Sequence, residues 1–341
     1  MPKLSIIIPC YNVAEYIDRC IDSIVNQTFG INNIRIICID DASNDDTYNH
    51  LLKWEEKYPE NIVIIHNETN KRQGYARNIA LEYVDTEYIT YIDADDFIDR
   101  NFVKVMIDVA STSLAEMVVC GHIRDYGKNI DLDCIKKTNI SYKEVVVLEE
   151  MRADQIRFAS SDPQVWGRVF RRDFIEKYAL SFPEELTYED NLWRAKLACS
   201  INHYCMMDYP LYHYFVNEES TIMTKDSMHH VDYLTVQLLK WEYMNSKGHY
   251  EKYPDAVEFD FLHNCYLDFL KLISYRYSEP QYPMFRLLRE IVSSRIDEPE
   301  RNKYYDKGFT EFQKILLGFI KMKVTKEEFI EMTSLIKKNG I

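Results

Sequence analysis

4-LSIIIPCYNVAEYIDRCIDSIVNQTF-29 sets two hydrophobic periods back to back near the start of the chain. Leu4 to Ile8 is apolar without alternation and ends at Pro9. From Val13 to about Asn26, the residues Ile17, Ile21, Ile24 and Val25 return at helical spacing and form one apolar face. A strand apolar on both sides, followed by an amphipathic helix, fits a parallel sheet covered on both faces. Asn12 and Glu15, three apart just ahead of the helix, are expected to cap it.

The alternation continues outward. Ile34 to Ile39 reads as a second strand, stopped by Asp40-Asp41, and Ser43 is expected to cap a helix with Asp45 and Asp46 in its first turn. Ile62 to Ile65, a helix at about 73–84, and Tyr88 to Ile92 complete the pattern. In such sheets ligands bind beyond the carboxyl ends of the strands. Three of the four strands end there in polar residues: Tyr11-Asn12, Asp40-Asp41 and Asp93 to Asp96. In 88-YITYIDADDF-97 an extended backbone would project Asp93 and Asp95 to one side. Such a carboxylate pair suits Mg²⁺ or Mn²⁺, with positions left for water and substrate phosphates; a solvated acidic loop is the plainer alternative.

From about 105 to 222 the pattern is mixed. Val118-Val119 reads as strand, the polar stretch 124–143 as a hairpin or loop, and about 203–216 as paired strands. A helix follows Glu189-Asp190. From about 225 the chain turns helical, with Phe259, Leu262, Tyr266, Phe269, Leu270 and Ile273 at core-facing spacing. A chain of 341 residues, 46% hydrophobic, can bury a large core and fits two or three domains. Its formal charge of −14 argues against a nucleic-acid binder. The opening apolar run is too short for a signal peptide, and nowhere do about twenty apolar residues run together. The eight cysteines are scattered without a Cys-x-x-Cys, as reduced thiols of a cytoplasmic protein would be. The stretch 308-GFTEFQKILLGFIKMKV-324 suits ordinary packing or a homodimer contact, and equally a peripheral contact with the inner face of an anionic membrane.

Four stretches together resemble the family 2 glycosyltransferases: the opening segment, 37-ICIDDASNDDT-47, 70-NKRQGYARNIAL-81 and 91-YIDADDF-97. Further on, 166-WGRVFRR-172, 188-YEDNLWRAKL-197 and 211-LYHYFVNEEST-221 are similar to a bacterial subgroup that builds capsule, lipooligosaccharide and related surface polysaccharides. The resemblance implies an α/β GT-A fold, a Rossmann-like, mostly parallel sheet flanked by helices. That domain would span 1–222, with a nucleotide-binding half at 1–105 and an acceptor-binding half at 106–222, followed by a helical region at 223–341. It also implies that Pro9, Tyr11, Asp40, Gly74, Arg77, Asp93 and Ala94 bind the nucleotide-sugar, Tyr11 stacking on the base and Asp40 accepting from uracil. Asp95, with Asp93, would hold Mn²⁺ or Mg²⁺. Trp166, Arg168, Glu189 and His213 would face the acceptor or the diphosphate, and Asp190 would be the catalytic base. Phe215 departs from the family, which often carries arginine after Tyr-x-Tyr.

The implied reaction is inverting, metal-dependent transfer of a sugar from a nucleotide diphosphate, UDP foremost, to a hydroxyl of a glycan or lipid-linked acceptor. Two rivals stand beside it: a non-catalytic nucleotide-sugar scaffold, and a haloacid-dehalogenase-like phosphatase, whose Asp-x-Asp motif wants Thr or Val where Phe97 stands. The chain lacks both a phosphate-binding Gly-x-x-x-x-Gly-Lys-Ser/Thr and a dinucleotide Gly-x-Gly-x-x-Gly.

Overall fold

The computed structural model describes residues 2–127, 141–159, 164–216 and 223–340. The chain divides into two compact units. One comprises Met1–Leu148, Gln164–Glu185 and Ser200–Asn217, the other Glu149–Pro163, Leu186–Cys199 and Glu218–Ile341.

The first unit holds the sheet. Strand β1 (Leu4–Cys10) is buried at every position, because parallel neighbours flank it and helices cover its faces. It pairs in parallel with β2 (Ile34–Asp40) and β4 (Tyr88–Tyr91), and β2 pairs in parallel with β3 (Ile62–His66). Three helices alternate with these strands: α1 (Ile17–Val25), α2 (Thr47–Lys57) and α3 (Arg72–Ala80). Ile17, Ile21 and Ile24 of α1 share a core with Ile6, Ile8 and Ile36. Because the four strands are parallel, their carboxyl ends open on one edge of the sheet.

Beyond β4 the sheet mixes directions. The remaining strands are β5 (Phe97–Ile98), β6 (Met117–Asp125), β7 (Lys143–Val146), β8 (Arg168–Arg171) and β9 (His203–Phe215), with helix α4 (Phe102–Ser113) before β6. The order is β3-β2-β1-β4-β8-β6-β9-β5, with β7 paired to β9. β8 runs antiparallel to both β4 and β6, whereas β6 and β9 are parallel.

Several expectations change. The paired strands expected at 203–216 are one strand, β9. Pro210 has no N–H for the ladder, but register shifts around Gly121 on β6 absorb it and the strand continues. The cap expected of Asn12 does not form. Helix α1 starts at Ile17 without a side-chain cap, and Asn12 Oδ1 instead accepts from the Asn44 N–H at 2.8 Å. Ser43 likewise does not cap α2: its Oγ accepts from the Asn12 N–H at 3.0 Å, and Asp45 and Asp46 precede the helix. These oxygens clasp two neighbouring loops together. The expected polar loop at 124–143 falls largely on residues 128–140, outside the described residues, as do Cys134 and the end of the 211–221 stretch. The seven described cysteines are free.

The second unit is helical. Its core joins Leu234, Leu262, Tyr266, Leu270, Phe285 and Phe329, and a smaller cluster joins Ile156 and Ala195 to Met244, Ala256 and Val257. The six apolar residues expected to face a core between 259 and 273 are buried. The helix carrying them passes through a π-helical run at Phe261–Asp268, between α-helical Pro254–Asp260 and Phe269–Arg276. In the 308–324 stretch Leu316, Leu317 and Ile320 are buried, while Ile315 and Met322 are exposed. No described helix is long and apolar enough to cross a membrane.

Candidate active site

Four strand ends supply the site of the first unit. Beyond β1 the Tyr11 ring is exposed, and the loop behind it is held by the Val13 N–H donating to Thr47 Oγ1 at 2.8 Å and the Ala14 N–H donating to Asp45 Oδ2 at 3.0 Å. Pro9 lies inside β1, not after it. At the end of β2, Asp40 is fully buried. One of its oxygens lies 2.8 Å from His66 Nδ1; the other, Oδ1, is buried without a hydrogen-bond partner. His66 closes β3, so each of the four parallel strands ends in a polar side chain or is followed by one within two residues. The signal for His66 in the sequence is a polar residue ending the apolar run 62-IVII-65.

Asp41 serves the backbone. Its carboxylate accepts from Asn67 Nδ2 at 2.7 Å and from the N–H groups of Lys71 and Arg72, which fixes the approach to α3. Gly74 lies buried within α3, and the left-handed residue at its start is Arg72, at φ 69°. Helix α3 aims Arg77 at the acidic stretch, where its Nη2 lies 2.9 Å from Asp93 Oδ1 and 3.0 Å from Gln73 Oε1.

The acidic stretch itself is a turn. The Asp96 N–H donates to the Asp93 carbonyl at 3.0 Å, so the extended geometry expected for Asp93 and Asp95 is replaced by a reversal with Ala94 and Asp95 at its centre. The three carboxylates then divide. Asp93 and Asp95 are partly exposed. Asp96 is fully buried and bonded on both oxygens, accepting from the Tyr212 hydroxyl at 2.6 Å and from the Phe215 N–H at 2.7 Å. Burial, reinforced by the charges of Asp95 and Asp93, holds the Asp96 carboxyl well above the usual range. Burial and then the Asp93 charge push Asp95 up to about 6. Two crowded, partly exposed carboxylates fit a hard divalent cation, which would relieve their repulsion. Among the described residues no group of three or more His, Cys, Asp or Glu side chains is arranged around a metal position, so the remaining ligands would have to be water and phosphate.

Other candidates take different places. The Trp166 indole stacks on Tyr212 (4.5 Å, 8°) and Tyr214 (5.5 Å, 17°), with the His122 edge against it. Arg168 is buried and donates to the carbonyls of Gln164 and Trp166, so it holds the turn that carries the indole. His213 is buried, stacks on Phe97 at 4.5 Å, and has Nδ1 3.8 Å from Asp125 Oδ2. Glu189 and Asp190 belong to the helical unit. Asp190 opens the helix Asp190–Ser200 and accepts from Asn191 Nδ2 at 3.0 Å. Glu189 is buried. Tyr188, at φ 66°, turns the chain into that helix with its hydroxyl 2.9 Å from His230 Nδ1.

A family model described as Glycosyl transferase family 2 matches residues 5–179, just over half of the chain. The putative glycosyltransferase EpsH of Bacillus subtilis (strain 168) is 29% identical over 230 residues, covering 65% of this chain and 63% of EpsH. Poly(ribitol-phosphate) beta-N-acetylglucosaminyltransferase TarS of Staphylococcus aureus (strain MW2) is 25% identical over 265 residues, covering 77% of this chain and 44% of TarS. The chain thus spans less than two thirds of the length of either relative. Among solved structures, that of S. aureus TarS 1-349 in complex with UDP-GlcNAc superposes with a TM-score of 0.72 at 19% identity, covering 98% of this chain and 91% of that one. At this identity the likeness speaks to the fold.

Proposed function

This chain belongs to glycosyl transferase family 2 and has a GT-A-type fold, and from that premise we propose that it transfers a sugar from a nucleoside diphosphate donor, UDP-linked foremost, to a hydroxyl acceptor with inversion. The observation carrying this reading is the gathering of Tyr11, Asp40, His66, Asp93 and Asp95 at the carboxyl ends of four parallel strands. In it Tyr11 offers an exposed ring to the base. Asp40 keeps an acceptor oxygen without a donor, an unfavourable state that a base N–H would relieve. Pro9, Gly74 and Ala94 shape the backbone around the nucleotide. Arg77 orients Asp93 and lends positive charge beside the diphosphate.

Asp95 and Asp93 would hold Mn²⁺ or Mg²⁺. When bound, that ion supplies Lewis-acid neutralisation of the diphosphate as it departs. Asp190 takes the proton from the acceptor hydroxyl as it attacks the anomeric carbon, and a single displacement needs no covalent nucleophile. Glu189 steadies the Asp190 loop. Arg168 and His213 act indirectly, Arg168 through the turn under Trp166 and His213 through Phe97. The division into a nucleotide-binding half at 1–105 and an acceptor-binding half at 106–222 belongs to the same proposal. So do a glycan or lipid-linked acceptor of a bacterial surface polysaccharide and work at the cytoplasmic face of the membrane.

Calorimetry with UDP and Mn²⁺ tests the core of it. Uptake should require the metal, vanish with EDTA, and be lost in Asp95→Ala. UDP uptake indifferent to both metal and Asp95 would sink the reading. Donor turnover should disappear in Asp190→Asn while UDP still binds; unchanged turnover there removes Asp190 as the base.

A further inference from the structure

Arg19, to which the resemblance of the opening stretch assigns no role, reaches the acidic turn from α1. Its Nη2 donates to the Asp95 carbonyl oxygen at 2.7 Å. The guanidinium lies 4.7 Å from the centroid of the Phe97 ring and 4.5 Å from that of Phe215. Phe97 begins β5 directly after the turn, and Phe215 ends β9. The Phe215 backbone in turn donates to Asp96, and its ring packs on Tyr16, 5.4 Å away. One planar cation therefore joins α1, the middle of the acidic turn and the end of β9. A guanidinium lying on aromatic faces has little rotational freedom left, so its hydrogen bond can fix the direction of the backbone it meets.

We propose that Arg19 is a positioning residue that fixes Asp95 to receive the divalent cation of the donor complex, an inference that rests on the functional reading above. Two effects of Arg19 on that cation oppose each other. Its charge, close enough to pull the Asp95 carboxyl downward, disfavours a second cation. Its bond to the Asp95 carbonyl holds the ligand where a metal can use it. Metal sites tolerate only small errors in ligand placement, and losing an outer partner of a ligand weakens metal affinity by roughly tenfold to a hundredfold. Anchoring therefore outweighs repulsion here.

Lysine separates the two effects, because it keeps the charge and loses the planar fork. Mn²⁺ binding at saturating UDP, followed by the electron paramagnetic resonance of free Mn²⁺, gives a readout independent of turnover. Arg19→Lys and Arg19→Met should both raise the half-saturating Mn²⁺ concentration by about tenfold or more. Phe215→Leu, which keeps Arg19 and the backbone N–H to Asp96 but removes one ring, should shift it in the same direction by less. Circular dichroism melts establish that each variant is folded at the assay temperature, and should the Arg19 variants unfold, Phe215→Leu carries the test. Wild-type affinity in Arg19→Lys, tighter Mn²⁺ binding in Arg19→Met, or no shift in Phe215→Leu would overturn the inference. Wild type taking up no Mn²⁺ with UDP would overturn the functional reading itself, and the inference with it.

Discussion

Asp95 and Asp96 are neighbours with the same side chain, yet their surroundings give them opposite work. Asp96 has no exposure and two donors, whereas Asp95 keeps a partly exposed carboxyl at the centre of the turn. The Tyr212 hydroxyl stays protonated, since its burial and the Asp96 charge both push its pKa up; it donates to Asp96 and accepts from the Asp93 N–H. Tyr212→Phe leaves a buried oxygen of the Asp96 carboxyl group without its partner and should cost about 1–3 kcal/mol, read from the urea midpoint. Asp95→Ala should leave that midpoint nearly unchanged while abolishing Mn²⁺-dependent UDP uptake. The reverse pattern, a stability loss at Asp95 and none at Tyr212, would exchange the two roles. The sequence made the acidic run conspicuous but could not apportion it, because the partners that distinguish Asp96, Tyr212 and Phe215, lie more than a hundred residues away.

At the scale of elements, periodicity was legible wherever the reading was local. The unalternated runs gave β1 to β4, and the three-and-four spacing gave α1. What failed were judgements that depend on a neighbour in space. Asn12 and Ser43 look like caps because their oxygens suit a helix start. Each instead bonds across the gap between the β1 and β2 loops, which no local rule sees. Pro210 looks like a break in a hairpin until Gly121 is placed opposite it. A Cβ at Gly121 would stand 3.1 Å from the carbonyl oxygens of both Asp208 and Tyr209, backbone that cannot swing aside. Gly121→Ala should therefore force β6 and β9 apart and cost about 1–3 kcal/mol. Gly318→Ala is the control. It ends the helix Glu311–Gly318, a Cβ there meets nothing within 4 Å, and helix propensity gives it a small gain of up to ~1 kcal/mol. Thermal scans of the pair check the argument; equal effects would refute it.

At the scale of the whole molecule, the units do not follow the order of the chain. The resemblance implies a domain ending at 222, and the hydrophobic pattern turns helical from about 225. The helical unit, however, also takes in Glu149–Pro163 and Leu186–Cys199, drawn from within the first two hundred residues. Its own bonds tie these segments down: Arg152 Nη1 donates to the Ala198 carbonyl at 2.7 Å, the Thr187 N–H donates to Asp232 Oδ2 at 3.1 Å, and Ile156 and Ala195 pack with Met244 and Val257. A protein ending at 222 would keep both segments and lose Asp232, Met244 and Val257. Its exposed apolar faces should make it aggregate, or hold secondary structure without fixed packing. Size-exclusion chromatography and near-UV circular dichroism of residues 1–222 decide the point, and a monomer with a native near-UV spectrum would refute it. The same interior contains Lys240 and Asp260, paired at 2.7 Å with almost no exposure. Asp260→Ala removes the carboxylate paired with a buried ammonium and should cost about 3–5 kcal/mol. The double change Lys240→Met with Asp260→Leu removes both charges and should cost clearly less, because the pair's attraction is largely offset by the desolvation of its members. Should the double variant prove as unstable as the single one, the ion pair would be a net source of stability in this unit.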